Sequence, residues 1–190
     1  MKTVVLISGY KRSGKDFSAE YLREQHGAVV SSFADPLKGV IENTFGICRE
    51  DLEQYKNDAE PLYMDNGGRY EEISDMRTIL QRFGTEGMKP FFGESVWADL
   101  MSEKILKENA DLFVIPDFRF GIEYETLSHL SFKGYRIITL RIDDNNIVST
   151  DLHASETEIT DFPFWHRIDN TEKDDTIFEK LDKFIGAVNE

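Results

Sequence analysis

Residues 9–16 read GYKRSGKD and follow the phosphate-binding pattern G-x-x-x-x-G-K-[ST] at every position except the last, where Asp16 stands. The pattern predicts a nucleotide site only when a strand precedes it and a helix follows it. The run TVVLIS over 3–8 is apolar and β-branched, which is typical of a buried strand in a parallel sheet. The spacing after Lys15 predicts a helix that ends near Gly27. The context therefore favours a working phosphate loop over a chance Gly-rich turn.

In such a loop the backbone amides and the helix N-terminus point partial positive charge at a phosphate. Gly9 and Gly14 permit the tight backbone, and Lys15 is expected to reach the β and γ phosphates of ATP. Lys11, Arg12 and Ser13 complete the predicted ATP-binding set.

Asp16 replaces the hydroxyl that normally reaches magnesium. Three interpretations stay open: a decayed site, a carboxylate that holds Mg²⁺ through a water, or a base toward the acceptor. A second anion, Asp117, ends the apolar run LFVIPD and has the form of the strand-terminal aspartate that helps hold magnesium. Arg119 follows it and is suited to bidentate phosphate binding, although a turn aspartate and a surface arginine remain the plain alternative.

Strands and helices alternate along the rest of the chain, which predicts βαβ units and a mainly parallel sheet. The expected fold is a three-layer α/β/α phosphate-loop NTPase domain over 1–190, with about five strands. Further strands are predicted at 28–33, 111–117, 135–142 and 165–170, and further helices at 34–45, 71–84, 95–108, 121–132 and 174–188. The core is expected at about 1–45 and 109–190, an acceptor-binding region at about 46–108 and a lid at about 143–164, with 46–70 and 143–164 irregular.

Composition excludes several classes of protein. The net charge of −14 argues against a polynucleotide partner, although local cations and oriented amides still accommodate small anionic ligands. No apolar run is long enough for a transmembrane helix, so no membrane partner is expected. The lone Cys48 forms no internal disulfide; we expect a packed thiol and a cytoplasmic protein.

Five strings in order, GYKRSGKD, FADPLK (33–38), RTILQRFGTE (77–86), PDFR (116–119) and HASE (153–156), resemble the deoxynucleoside monophosphate kinases of tailed bacteriophages over nearly the whole chain. The first string, with its GKD ending, and a similar PLK also occur in animal-type phosphomevalonate kinases, a sister group. Asp16 therefore looks like a trait of this group and not like decay.

The resemblance implies transfer of the γ-phosphoryl of ATP to deoxynucleoside 5′-monophosphates with Mg²⁺, in host cytoplasm if the source is a phage. It implies catalytic roles for Lys15, Asp16, Asp117 and Arg119. It also implies that Asp16 and Asp117 hold the metal ion, either directly or through a water molecule. It implies that the acceptor nucleotide is bound by Asp35, Lys38, Arg77, Gln81, Arg82, Trp97, Arg119, Glu123 and the lid residues His153, Ser155 and Glu156. The partners are small nucleotides, and a homodimer is expected by analogy only.

Plain interpretations stand beside these assignments. Lys38, Arg77 and Arg82 are each compatible with a solvated helix cation, Gln81 with a structural hydrogen bond, Trp97 with a core position and His153 with an ordinary loop. Glu123 would share a helical face with Arg119 and is as compatible with a surface ion pair.

Two other functions remain open from the sequence: a phosphate-loop kinase with phosphomevalonate or dephospho-coenzyme A as acceptor, or a non-catalytic nucleotide-binding protein. Many monophosphate kinases carry arginines in the lid, but 143–164 contains neither Lys nor Arg. The cation at the transferred phosphate must then come from Arg12, Arg119, Arg141 or the acceptor-side arginines.

Overall fold

The structure is a computed structural model that describes residues 1–58, 61–65, 68, 70–147, 159 and 161–189. The chain divides into two compact units. We call Met1–Phe33 with Ala98–Glu190 the sheet unit, and Ala34–Trp97 the insert unit.

The elements in chain order are β1 (Lys2–Ser8), α1 (Lys15–His26), β2 (Val29–Val30), α2 (Asp35–Phe45), α3 (Arg49–Asp58), β3 (Pro61–Asp65), β4 (Tyr70–Asp75), α4 (Met76–Gln81), a π-helical segment (Arg82–Met88), α5 (Lys89–Phe92), α6 (Val96–Glu108), β5 (Leu112–Ile115), α7 (Gly121–Ser128), a 3₁₀ helix (His129–Lys133), β6 (Tyr135–Asp143), β7 (His166–Asp169) and α8 (Thr176–Asn189).

The sheet unit is built on a five-stranded sheet in the order β2-β5-β1-β6-β7. Every neighbouring pair in it is parallel. Parallel pairing places the carboxyl ends of all five strands at one edge, and in open α/β sheets that edge is where ligands bind.

Both faces of this sheet are buried, which explains the continuous apolar sequence of β1. Val5 and Ile7 pack in one cluster with side chains of α1 and α8. Val4 and Leu6 pack in a second cluster with side chains of α6 and α7. Because alternate residues of a strand face opposite sides, the two clusters are two separate helix layers. This arrangement confirms the predicted three-layer α/β/α class.

The insert unit has its own small core, formed by Leu37, Ile41, Leu52, Met76 and Leu80. Its helices α2, α3 and α4 surround this cluster, and β3 and β4 form a separate antiparallel hairpin. Trp97 and Phe83 pack against the edge of the same core.

The expected helix over 71–84 is wrong in its first part. Residues up to Asp75 pair with β3 as a strand, and the helix begins only at Met76. The Asp75 carboxylate accepts hydrogen bonds from the backbone N and the Oγ1 of Thr78 at 2.9 and 2.7 Å, so it caps the start of α4. The helix also does not end at Gly84, because the π-helical segment continues to Met88.

The irregular stretch expected at 46–70 is also partly wrong, since it contains α3 and β3. Polar composition concealed α3, whose only buried residue is Leu52. The strand expected at 28–33 is shorter than predicted. Pairing with β5 stops after Val30, and Ser32 and Phe33 instead donate hydrogen bonds to the carboxylate of Asp117.

Within the described ranges, no helix has both the length and the apolar character that crossing a bilayer requires.

Cys48 is exposed, so the expectation of a packed thiol is wrong. The residue precedes α3, and its carbonyl accepts a hydrogen bond from the Leu52 amide at 3.0 Å.

Candidate active site

The loop between β1 and α1 has a backbone that requires glycine at two positions. A Cβ at Gly9 would lie 2.4 Å from Ser13 Oγ and 2.5 Å from the Ile142 carbonyl oxygen. Gly14 has φ +100°, and a Cβ there would lie 2.5 Å from Asn170 Nδ2. The loop is closed by a hydrogen bond from the Ser13 amide to the Tyr10 carbonyl at 3.0 Å. Both glycines of the motif are therefore needed for the shape of the loop.

The interior of this loop fits a phosphate group. Ser13 is fully buried, and its Oγ has no hydrogen-bond partner among the residues that the structure describes. A buried hydroxyl without a partner is costly, so a bound acceptor oxygen would stabilise it. Lys15 is 9% exposed, and its Nζ donates to the Tyr10 carbonyl at 3.4 Å, a long bond that a phosphate oxygen would readily replace.

Three cationic side chains meet at a pocket next to the loop. The pocket is lined by Ser8, Gly9, Tyr10, Lys15, Phe118, Arg119, Arg141 and Ile159. Lys15, Arg119 and Arg141 come from three different segments of the sheet unit, and Arg141 is paired with Asp143. Three cationic side chains around one pocket raise the local positive potential in an otherwise acidic chain, which attracts an anion. The pocket is therefore suited to a polyphosphate.

Arg141 was not among the principal predicted site residues, although the missing lid cations made it one of the alternatives. It ends the apolar part of β6, opposite Ser8 of β1, and is 4% exposed. Its Nε donates to Asp143 at 3.1 Å, and its guanidinium lies 4.9 Å from the Tyr10 ring centre and 5.6 Å from that of Phe164. These contacts fix a charged group beside the phosphate loop. An arginine at the end of a buried strand is the sequence signal that indicates it.

Asp117 lies just beyond the carboxyl end of β5. Its Oδ2 accepts from Ser32 Oγ at 2.5 Å and its Oδ1 from the Phe33 amide at 2.9 Å, while the neighbouring Phe118 amide donates to the Ile7 carbonyl at 3.2 Å. The carboxylate is thus bound to the two residues Ser32 and Phe33 that follow β2, and the next backbone amide is bound to β1. A carboxylate oxygen at this edge of the sheet is the ligand type that Mg²⁺ prefers.

Glu123 is 8% exposed and lies at the third position of α7. Its Oε2 accepts from the backbone amides of Arg119 and Phe120 at 2.8 and 3.0 Å. Burial raises the pKa of Glu123 to about 8; the two amide bonds oppose the shift and the nearby charge of Asp117 adds to it. Glu123 therefore caps the helix and fixes the backbone of Arg119, and near neutral pH it is mostly uncharged.

Asp16 is exposed in the first turn of α1. Ser18, one turn on, is turned inward, and its Oγ donates to the Gly14 carbonyl at 2.9 Å. Among the described residues no group of three or more His, Cys, Asp or Glu forms a metal cage. Magnesium in phosphoryl-transfer sites needs only one or two carboxylates beside phosphate oxygens and waters, and Asp16 and Asp117 fit that donor set. Lys11 and Arg12 are exposed on the loop, Arg12 with φ 70°.

The predicted acceptor residues Asp35 and Lys38 lie on α2 of the insert unit, and both form ion pairs. Arg49 Nη1 lies 2.8 Å from Asp35 Oδ1, and Lys38 Nζ lies 2.6 Å from Glu53 Oε1. The Lys38 side chain is only 14% exposed, which differs from a solvated helix cation.

Arg77, Gln81 and Arg82 are all exposed. Arg77 and Gln81 are four residues apart in α4, so they share one face of the helix. Arg82 begins the π-helical segment. This conformation is rare in proteins, and where it occurs it is often at a functional site.

Trp97 is half-buried against the core of the insert unit, and its Nε1 donates to the Gly84 carbonyl at 3.1 Å. Gly84 is itself packed so closely that a Cβ would lie 2.8 Å from Leu37 Cδ2. Trp97 thus supports the π-helical segment from within the insert unit.

The predicted lid residues His153, Ser155 and Glu156 lie outside the described residues. Asn170, which sequence reasoning missed, is buried next to Gly14 and donates to the Ser13 carbonyl. The residue follows a short strand, and no motif in its own segment marks it.

Comparison with known proteins confirms the resemblance drawn from the ordered motifs. No protein-family profile matches the chain. The chain is 29% identical over 164 residues to a protein of Acanthamoeba polyphaga mimivirus that is provisionally assigned as a deoxynucleotide monophosphate kinase, and the match covers 80% of both chains. It is 30% identical over 112 residues to the deoxynucleoside-5′-monophosphate kinase of Escherichia phage T5, and this match covers 56% of the chain and 44% of the phage protein.

A solved structure of a provisionally assigned kinase from Chloroflexus aurantiacus is also similar, with a TM-score of 0.53 and 13% identity over 98% of this chain and 97% of that one. At this identity the likeness concerns the fold alone, and it agrees with the layered α/β architecture.

Replacing Glu123 by Gln tests its buried, protonated state. Gln keeps an acceptor for the two amides but carries no ionisable group. The folded wild type holds a proton up to about pH 8, whereas the unfolded chain loses it near pH 4.3, so wild-type stability falls as pH rises through this window. Relative to wild type, the free energy of unfolding of Glu123→Gln should rise by about 2.7 kcal/mol between pH 6 and pH 9, because two pH units lie below the folded-state pKa of about 8.

Urea unfolding at both pH values measures this difference, with Glu125→Gln on the exposed face of α7 as the matched control. The control should show little change with pH. A Glu123→Gln difference that is equally flat would contradict the buried, uncharged carboxyl.

Proposed function

We propose that this chain is a deoxynucleoside monophosphate kinase that transfers the γ-phosphoryl group of ATP to the 5′-phosphate of a deoxynucleoside monophosphate. The observation that carries the proposal is the pocket where Lys15, Arg119 and Arg141 meet beside a phosphate loop. The buried Ser13 hydroxyl of this loop has no hydrogen-bond partner in the part of the chain that the structure describes. The names of the viral and phage relatives support the choice of acceptor.

The donor phosphates are assigned to the loop of residues 9–16. Its amides and the Ser13 hydroxyl bind phosphate oxygens, and Lys15 moves from the Tyr10 carbonyl to the β and γ phosphates. Lys11 and Arg12 lie on the solvent side and add positive charge for the incoming ATP.

The reaction needs no strong general base. The second pKa of a phosphate monoester is about 6, so the attacking oxygen of the acceptor is already anionic at neutral pH. The difficulty is electrostatic, because two anions must approach in line. Arg119 and Arg141 are the fixed cations that offset this repulsion. Since Glu123 is mostly uncharged, it orients Arg119 without cancelling its charge.

A bound Mg²⁺ would supply positive charge that offsets the negative charge developing on the transferred phosphoryl group. We assign its protein contacts to Asp16 and Asp117, each directly or through water. The exposed position of Asp16 and the hydrogen-bonded, half-buried position of Asp117 suit outer contacts of a hydrated ion.

The acceptor is assigned to the insert unit. Arg77 and Arg82 are exposed cations suited to its phosphate, and Gln81 shares the face of Arg77 and offers both a donor and an acceptor to a base. Asp35 and Lys38 line the start of α2, already in ion pairs that an arriving phosphate would rearrange. Trp97 supports this region through Gly84. The proposed setting is the cytoplasm, which supplies both nucleotides.

ADP formation from ATP and Mg²⁺ tests the function, with dAMP, dCMP, dGMP and dTMP each offered separately. We expect turnover on at least one deoxynucleotide, because exposed Arg77 and Arg82 offer cations to an acceptor phosphate and both relatives carry the name of a deoxynucleotide kinase. The matching ribonucleotides measure discrimination at the sugar. Phosphomevalonate and dephospho-coenzyme A are the control acceptors, and turnover on either of them with none on any deoxynucleotide would reassign the substrate.

Replacing Arg119 by Ala tests whether the core, and not the lid, supplies the transition-state cation. We expect kcat to fall about 100-fold or more with a smaller change in KM, because removing one charge-stabilising donor from such a site has an effect of this size. Arg23→Ala, which removes an exposed arginine paired with Glu20 on α1, is the matched control and should retain wild-type kcat. A kcat for Arg119→Ala within about threefold of wild type would show that another cation has this role.

A further inference from the structure

We infer that Asn170 is a positioning residue of the phosphate loop, whose side-chain amide holds the Ser13–Gly14 peptide in the orientation that binds phosphate. The inference rests on the proposed function, since it concerns the same ATP site. Asn170 lies directly after β7 and is 8% exposed. It is the point at which the far edge of the sheet touches the phosphate loop.

The side chain makes a specific contact. Asn170 Nδ2 donates to the Ser13 carbonyl oxygen at 2.9 Å in a buried position. A carbonyl only accepts, so the nitrogen side of the amide must face the loop. A carboxylate at this position would face the carbonyl with like partial charge and would also add a negative charge next to the bound polyphosphate.

The contact determines where the neighbouring amide points. In a planar trans peptide the C=O of one residue and the N–H of the next point in opposite directions. Fixing the Ser13 carbonyl on Asn170 therefore directs the Gly14 N–H away from Asn170. The Gly14 amide is one of the loop donors available to a phosphate. The Ser13–Tyr10 and Ser18–Gly14 bonds hold the two flanking peptides, and the Asn170 contact holds the peptide between them.

The backbone of Asn170 is itself held from both sides. Its N–H donates to the Asp143 carbonyl at 2.8 Å, at the end of β6, and its carbonyl accepts from the Lys173 amide at 3.3 Å. The amide is thus presented from a rigid strand end and not from a mobile loop. A well-held second contact of this kind is what keeps a binding site in its productive geometry.

The same contact gives a reason for Gly14 beyond its φ angle. A Cβ at Gly14 would lie 2.5 Å from Asn170 Nδ2, which is closer than non-bonded atoms approach. The second glycine of the motif and Asn170 are therefore complementary parts of one packing arrangement, although they are far apart in the sequence.

A neighbouring asparagine supplies the matched control. Asn146 Nδ2 donates to the Thr171 carbonyl at 3.0 Å, so it ties the segment after β6 to the loop after β7. It makes the same kind of bond, from side-chain amide to backbone carbonyl, but to Thr171 and not to the phosphate loop. Asn146 is exposed whereas Asn170 is buried, so the two are compared by the ligand affinity of the folded protein and not by stability. If Asn170 only stabilised the β7–α8 connection, folded Asn170→Ala would bind ADP as well as Asn146→Ala does.

Calorimetric titration of ADP and of inorganic pyrophosphate, without acceptor, tests the inference on wild type, Asn170→Ala and Asn146→Ala. We expect Asn170→Ala to weaken ADP binding about tenfold, because a buried carbonyl loses its partner and the loop loses its preferred orientation. Asn146→Ala should stay within about twofold. In turnover, KM for ATP should rise in Asn170→Ala while KM for the monophosphate stays unchanged.

The pH dependence of ADP binding by Asn170→Asp adds a measurement that would give a flat result if Asn170 had only a structural role. A carboxyl donates to the Ser13 carbonyl only when it is protonated, and burial next to a carbonyl favours protonation. The ratio of its Kd for ADP to that of wild type should therefore fall as pH is lowered from 8 to 5.5. This variant also decides the question if Asn170→Ala unfolds at the assay temperature.

The outcomes separate the inference from the function. Wild-type affinity in Asn170→Ala, an equal loss in Asn146→Ala, or a pH-independent ratio for Asn170→Asp would each overturn the positioning role. If wild type binds ADP but phosphorylates no monophosphate, the proposed function fails while the Asn170 result stands. If wild type binds neither ADP nor pyrophosphate at millimolar concentration, both fail.

Discussion

Parallel pairing of the five strands is the constraint on which the site depends. Because all their carboxyl ends lie at one edge, the phosphate loop after β1, Asp117 after β5, Arg141 at the end of β6 and Asn170 after β7 come to neighbouring positions, although they are spread over 160 residues of chain. Each residue then needs only a local contact to be oriented. Asp117 is held by the end of β2, Arg141 by Asp143 and two rings, and the loop by Asn170.

Electrostatics at this edge differ from those of the whole chain. The net charge is −14, yet the pocket presents Lys15, Arg119 and Arg141 together. Burial raises the pKa of Glu123, whose carboxyl accepts the Arg119 amide, to about 8, so it supports the Arg119 backbone without removing positive charge from the pocket. An acidic exterior with a local cationic pocket suits small polyphosphates and disfavours polynucleotides.

The sequence was sufficient for the parts of the fold and site in which local pattern determines local structure. The buried β1, the phosphate loop and the order of strands and helices follow from apolar runs and glycine positions. The sequence was insufficient where long-range contacts determine the secondary structure or the position of a side chain. Residues 71–75 have helical spacing but pair with β3, and the Asp75 cap delays the helix to Met76. Parallel strands bring Asn170 and Arg141 to the loop. The position of Arg141 at the end of an apolar run made it one of the alternatives, whereas no local motif indicates Asn170. Glu123 was recognised, but its burial and its bonds to two backbone amides needed coordinates.

The central claim is that the edge of this sheet directs a phosphoryl group from ATP to a nucleotide acceptor and not to water. ATP labelled in its γ-phosphoryl group, incubated with Mg²⁺ and a deoxynucleoside monophosphate, tests the claim most directly by the fate of the label. A kinase of this kind should place the label in the deoxynucleoside diphosphate in one-to-one ratio with ADP and form little inorganic phosphate. Label released as inorganic phosphate at the same rate with and without the monophosphate would contradict the claim.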